Sequence, residues 1–155
     1  MADKPEIRII RAEAGDLPEI LQLQYLAYQS EAALYGSREI PPLKQTPDEI
    51  AAEFRQGVIL KMTDAQGRII GSVRAKEQDG TVFIGKLMVH PDLQRRGYGT
   101  ALLLEIERCF LGKRYELFTG TKSAQNIRLY EKLGYRIFAQ KAVSGDLQFV
   151  YLEKT

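Results

Sequence analysis

Apolar positions along this chain switch between two periods. Leu17, Ile20, Leu23 and Ala27 keep the spacing that lays one side of a helix on a core, and they predict a helix from about 17 to 34. Asp16 stands three residues before Glu19, which matches a helix-start capping arrangement. Residues 7–13, ahead of it, read as a strand. Residues 35–46 break the pattern, and the Pro41–Pro42 pair argues against regular helix there. At Thr46 the helical signal resumes. Thr46 can cap, Pro47 suits the first helical position and Glu49 the third, so a short helix is expected over 47–56, ending near Gly57.

The period then becomes that of strands. Residues 58–62, 68–78 and 81–89 read as an antiparallel trio, with turns at 64–67 and at Asp79-Gly80. Pro91 stops the third strand. A helix is expected over 97–111, a strand over 115–119, and a helix over 125–133 closed by Gly134. Two last strands, 135–143 and 147–153, flank a Ser144-Gly145-Asp146 turn. The order β-α-α-β-β-β-α-β-α-β-β implies a mixed α/β class, read as one domain over residues 1–155.

Composition narrows what such a domain does. The chain has 155 residues, with 22 Lys+Arg against 20 Asp+Glu, a net charge of +2. That balance does not suggest a cationic coat for nucleic acid or anionic lipid. One Cys cannot form an internal disulfide or a Cys-based zinc site, and one His adds little metal capacity, so no metal is expected. No apolar run approaches bilayer length, and Met1–Glu6 lacks the apolar core of a signal peptide, so a cytoplasmic protein is expected.

The densest chemical signal runs from Val89 to Thr100. A strand ends, Pro91 stops it, and a glycine-containing loop feeds a helix. Gly97 and Gly99 let backbone approach a ligand closely, while loop N–H groups and the helix start favour an anion. Arg95 and Arg96 add positive charge, and a phosphate or pyrophosphate is a natural guest. A tight turn with solvated arginines is the plain alternative. Two other phosphate motifs fail. Leu102 stands where a dinucleotide fingerprint needs a small residue, and Leu87 replaces the metal-binding hydroxyl of a P-loop read from Gly80 to Lys86.

Gln94-Arg-Arg-Gly-Tyr-Gly99 resembles the Gln/Arg-x-x-Gly-x-Gly/Ala loop of the GCN5-related N-acetyltransferases, the GNAT family. The strand Ile84–Pro91 before it is also similar to theirs. Downstream, Leu129-Tyr-Glu-Lys-Leu-Gly-Tyr135 resembles the family's Leu-Tyr-Glu-Lys-Leu-Gly-Phe/Tyr segment. The resemblance covers nearly all the chain and is weakest over 25–57. It implies the acyl-CoA N-acyltransferase fold, a mostly antiparallel central sheet flanked by helices, with acetyl-CoA as donor and cosubstrate.

By that resemblance, the main chain of Leu87, Met88 and Val89 would pair with the pantetheine arm like an added strand. The loop Gln94, Arg95, Arg96, Gly97, Tyr98, Gly99 and Thr100 would hold the pyrophosphate. Ser123 and Asn126 would lie against the cofactor, and Tyr130 would protonate the departing thiolate. Homodimers are common among such enzymes, and pairing through the C-terminal strands is the expectation.

The chemistry asks for these groups. A simple alkylamine has a pKa near about 10, so the acceptor must be bound as, or converted to, its free base. The developing oxyanion needs a donor, for which the Met88–Val89 region has a backbone N–H. The thiolate needs a proton, which a tyrosine can give. Plain readings stand beside each role. Tyr130 suits a core next to Leu129 and Leu133, and Ser123 could cap the helix that Asn126 steadies. Glu77 is a candidate base if its strand reaches the acceptor cleft, and a solvated carboxylate otherwise. His90, before Pro91, reads as structural or exposed, and Cys109 as a buried small residue.

The acceptor wall is expected between residues 25 and 46, where Tyr25, Tyr28, Glu31, Tyr35, Arg38 and Glu39 would suit a cationic amine. The leading reading is acetyl transfer to a small-molecule primary amine. A protein or peptide amine acceptor and a non-catalytic acyl-CoA sensor are the alternatives.

Overall fold

The computed structural model describes residues 6–145 and 147–155. The opening residues 1–5 and Asp146 of the expected final turn lie outside that description. Strands β1 (Arg8–Arg11), β2 (Val58–Thr63), β3 (Ile69–Gln78), β4 (Thr81–Val89), β5 (Arg114–Gly120), β6 (Arg136–Ser144) and β7 (Leu147–Lys154) form one sheet. Their spatial order is β1-β2-β3-β4-β5-β7-β6. Neighbours run antiparallel except β4 and β5, which are parallel. The class is therefore the mixed, mostly antiparallel α/β arrangement that the element order implies.

Helices cover both faces. On one side α1 (Leu17–Ala27) and α4 (Pro47–Gln56) bury Leu17, Ile20, Leu21, Leu23 and Ile50 against Ile59, Ile69 and Met88. On the other, α5 (Tyr98–Arg108) and α6 (Ala124–Lys132) bury Leu102, Leu103, Ile106 and Tyr130 against Leu60, Met62, Ile70 and Leu117. Because β3 is covered on both faces, Ile69–Ala75 is buried without alternation. The hairpin turn at Asp79-Gly80 has positive φ at both residues, as a tight primed turn requires.

Three local expectations need correction. The helix foreseen over 17–34 is two helices, α1 and α2 (Gln29–Tyr35), broken at Tyr28. The apolar stripe ends there, and the Gln29 side chain donates to the Tyr25 carbonyl at 2.9 Å. That polar side chain gives the carbonyl an alternative partner to the ladder. The Pro41–Pro42 pair starts a helical turn, α3 (Pro41–Lys44), rather than preventing one. Prolines are tolerated in a first turn because the N–H groups there have no intrahelical partner. Asp16 caps nothing with its side chain toward α1; it completes a reciprocal box with Glu13, and Glu19 instead accepts the Ile69 N–H at 2.9 Å. The Thr46–Glu49 box at α4 is as expected, with both reciprocal bonds formed.

A polar cluster fastens α5 to the sheet's far half. Buried Glu107 accepts from the Tyr135 hydroxyl at 2.7 Å and from the Lys154 ammonium at 2.9 and 3.2 Å. Removing the ammonium leaves a carboxylate short of partners in a mostly dry place. Lys154→Met should cost about 1–3 kcal/mol, read as a fall of roughly 3–9 °C in thermal midpoint for a chain this size. A thermal midpoint equal to that of the parent protein would show that Glu107 does not need the lysine.

Candidate active site

Strands β4 and β5 share register only from Thr81–Arg114 to Phe83–Glu116. Beyond Phe83 they part. Strand β4 then carries one extra residue against β3, between the pairs Arg74–Gly85 and Ser72–Met88. Lys86, inside that bulge, has a φ of 52°. Such a bulge bends a strand locally and increases its twist. A cavity of about 380 Å³ fills the gap.

The cavity has two walls. On the β3–β4 side lie Arg74, Gly85, Lys86 and Leu87, with Glu53 from α4. Opposite them lie Leu117, Thr119 and Gly120 of β5, with Asn126 and Tyr130 of α6. Tyr28, Glu31 and Tyr35 complete the enclosure from the broken helix.

Tyr35 crosses to β5. Its hydroxyl accepts the Lys122 N–H at 3.0 Å. A Cβ on Gly120 would stand 1.8 Å from that hydroxyl oxygen, so the close approach exists only because residue 120 is glycine.

Glu31 reaches α6 from α2. Its carboxylate accepts from the Ser123 hydroxyl and from Asn126 Nδ2, the latter at 3.2 Å. Ser123 occupies the cap position of α6 but spends its hydroxyl on Glu31, so the expected capping bond is absent. Asn126 Nδ2 also donates to Thr119 Oγ1 at 3.2 Å. Both amide hydrogens are then used, which leaves Asn126 Oδ1 as an acceptor for a ligand N–H.

Tyr130 is buried and also lines the cavity. Burial raises its hydroxyl above the ordinary tyrosine range, and nearby Tyr28 and Glu31 add to the rise. It therefore holds its proton at neutral pH until something more basic arrives. Tyr28 is raised too, by burial first, although Arg74 opposes the shift.

Arg74 is the deepest charge, 5% exposed. Its guanidinium donates to Glu53, Gln24 and Gln45. Gln24, wholly buried, donates in turn to the Pro42 carbonyl at 2.8 Å and to Gln45 at 2.9 Å. Arg74 thereby ties α1, the α3–α4 connection and α4 to β3. Lys86 reaches Glu53 only at 4.0 Å. Burial lowers its ammonium below the ordinary lysine range, partly countered by Glu53.

The loop from Gln94 to Thr100 lies at the head of α5. Arg95 and Gly97 take left-handed backbone, with φ of 65° and 81°. A Cβ on Gly97 would meet nothing within 4 Å, so its face is open. Arg95 and Arg96 are exposed, while Tyr98, Gly99 and Thr100 are half-buried in the first turn of α5. Gln94 donates its side-chain amide to the Val89 carbonyl at 2.9 Å, which staples the loop to the end of β4. Leu87, Met88 and Val89 stand on β4 past the point where β5 departs, so that edge of the strand has no partner strand. An open strand edge, a spare amide acceptor and a loop of free N–H groups fit a pantetheine arm and its pyrophosphate.

Other expected residues fall elsewhere. Glu77 does not line the cavity. It sits toward the hairpin end of β3, opposite Val82 where β4 and β5 are still paired, and its carboxylate meets Lys113 at 3.0 Å. Tyr25 donates to the Gln45 carbonyl, and Glu39 pairs with Lys44 at 2.6 Å, so neither is on the cavity wall. His90 Nδ1 accepts the Asp92 N–H at 3.1 Å and caps a short turn. Cys109 is half-buried rather than buried. Sequence reasoning missed Glu53, Arg74 and Lys86. An arginine set between Val73 and Ala75, in the buried part of β3, was the available signal for the second.

Comparison with known proteins agrees with this fold. A Bacillus subtilis protein, UPF0157 protein YqkA, is 29% identical over 141 residues, covering 90% of this chain. This chain spans 40% of that protein's length. The ribosomal-protein-S18-alanine N-acetyltransferase of Escherichia coli has the same fold, with a TM-score of 0.77 at 19% identity, covering 96% of this chain and 93% of that one. The PaiA N-acetyltransferase of Thermoplasma acidophilum, solved in complex with coenzyme A, gives 0.79 at 18% identity, covering 96% and 98%. Among the described residues no helix is long and apolar enough to cross a membrane. Residues 17–135 match the Acetyltransferase (GNAT) family, and the chain belongs to that family, whose acetyl donor is acetyl-CoA.

Proposed function

We propose that this chain transfers the acetyl group of acetyl-CoA to the primary amine of a small molecule, by direct attack, with Tyr130 as general acid. The observation that carries the reading is Tyr130 itself, a protonated hydroxyl in the wall of the cavity where β4 and β5 part. The main chain of Leu87, Met88 and Val89 pairs with the pantetheine arm. The loop from Gln94 through Thr100 receives the pyrophosphate at the head of α5. Asn126 accepts a pantetheine N–H with its free Oδ1, and Ser123 holds the carboxylate beside it. A backbone N–H at Met88 or Val89 steadies the oxyanion. The neutral amine attacks the thioester carbon, the C–N bond forms, the C–S bond breaks, and Tyr130 gives its proton to sulfur.

A small acceptor is favoured over a protein by the Tyr35 crossing. A peptide chain needs an open groove between residues 28–46 and 140–148; Tyr35, bonded to the Lys122 amide, lines both the cavity and the smaller hollow between those stretches and narrows the way from one to the other. A second copy of the chain is the partner we infer for edge strand β6. Ile137, Phe138 and Val143 lie exposed on it, and Phe138 packs edge-on to Tyr151 at 6.4 Å.

Three outcomes follow from these readings. Tyr130→Phe should lower turnover about 10²–10⁴-fold, the usual range for a lost general acid, with coenzyme A affinity by calorimetry nearly unchanged. Full turnover in that variant would remove the acid role. Gly120→Ala forces Tyr35 off its place over β5, and is expected to raise KM for the amine more than for acetyl-CoA. Equal effects on both would place Tyr35 outside acceptor binding. Phe138→Glu should yield a monomer in sedimentation velocity, where the parent chain sediments as a dimer; a monomeric parent would end the dimer reading.

A further inference from the structure

The cavity's two carboxylates are in opposite situations. Glu53 carries the Arg74 guanidinium on one oxygen and has Lys86 near the other. Glu31 is held only by neutral donors, Ser123 and Asn126. Among the described residues it forms no ion pair, so its charge is left for something else. Neutral hydrogen bonds aim a carboxylate without cancelling its charge, and a half-buried anion in this state attracts a cation.

The facing wall has the reverse imbalance. Arg74, Lys86 and the exposed Lys76 bring three positive charges against one from Glu53. A second carboxylate felt by Lys86, that of Glu49, is exposed and bonded to the Thr46 N–H at 2.9 Å at the start of α4. The Lys86 side chain is 23% exposed and lines the cavity. Since β4 and β5 separate after Phe83, Lys86 on β4 and the Glu31 contacts on α6 stand on different sides of the gap.

We propose that the acceptor is an aminocarboxylate, an amino acid or close analogue, whose ammonium sits on Glu31 and whose anionic group faces Lys86. This deepens the acetyl-transfer reading and rests on it. Glu31 takes the first proton from the ammonium and returns it to solvent. The free amine attacks the thioester carbon, the C–N bond forms and the C–S bond breaks. The thiolate takes the Tyr130 proton, and the second nitrogen proton restores Tyr130. The net products are the N-acetyl compound, coenzyme A thiol and one released proton. A plain alkylamine satisfies Glu31 but brings no anion to the facing wall, where Lys86 then has only its 4.0 Å approach to a Glu53 already shared with Arg74, so it binds less well than an aminocarboxylate.

Matched pairs test this directly: γ-aminobutyrate against propylamine, leucine against isopentylamine, and phenylalanine against phenethylamine, each scored by thiol release with saturating acetyl-CoA. The carboxylate-bearing member of at least one pair should show about tenfold or greater kcat/KM. Lys86→Met should collapse that ratio toward one, chiefly through KM. Glu31→Gln should lower kcat/KM for both members of the pair. Amines acetylated as well as or better than their amino acids would overturn the proposal while leaving acetyl transfer intact. So would a Lys86→Met variant that keeps the ratio. Turnover of no member, with coenzyme A binding seen by calorimetry, would overturn the transfer reading and this inference with it.

Discussion

Strands β4 and β5 run side by side for three register pairs and then separate, although both continue as strands. Parallel neighbours normally keep pairing, because an edge left open inside a sheet leaves its N–H and C=O groups unmatched. Here the separation accompanies the extra residue in β4 at Lys86 and the antiparallel hold of β7 on the far side of β5, from Tyr115–Lys154 to Gly120–Phe149. The gap has backbone on both sides, helices α5 and α6 beneath, and the broken N-terminal helix above. Main-chain groups that would otherwise need a strand are free for a ligand, so the defect in the sheet and the site proposed for the cofactor are one feature.

What keeps the upper wall over the gap is a buried charge. Arg74 sits in β3, an interior strand of the sheet, where an aliphatic residue would pack at lower desolvation cost. Its Nε is the one buried side-chain polar atom without a partner among the described residues. An unmatched buried donor costs on the order of 1–3 kcal/mol. Against that, the other guanidinium nitrogens gather Gln24, Gln45 and Glu53 from three parts of the chain. An aliphatic core would allow α4 to slide; directional bonds to three side chains hold one position. The arginine trades some stability for a wall of defined shape.

Much of this frame was legible beforehand because it is encoded locally. The Asp79-Gly80 turn, the Thr46–Glu49 box and the alternating strands depend on residues a few positions apart, and the glycine loop at 97–99 announces itself by composition. The break at Tyr28 was hidden because apolar spacing reports which face is buried, not which carbonyls find a side-chain partner. Proline content misled at Pro41, since the rule against proline applies to a helix interior and not to its first turn. At the site, Tyr130 and Asn126 came from motif resemblance. The bonds from Ser123 and Asn126 to Glu31 span more than ninety residues in sequence, and no local pattern records them. Glu77 lies off the cavity for a topological reason: it stands where the strands are still joined.

Everything that the upper wall contributes comes from one uninterrupted stretch, residues 28–56, which includes Tyr28, Glu31, Tyr35, Ile40 and Glu53. The side proposed for the cofactor comes from the sheet and from α5 and α6. The two duties are therefore separable along the chain. A replacement cassette of another length and chemistry can change which acceptor is admitted and leave the donor's seat untouched, provided it returns a glutamine and a glutamate to Arg74.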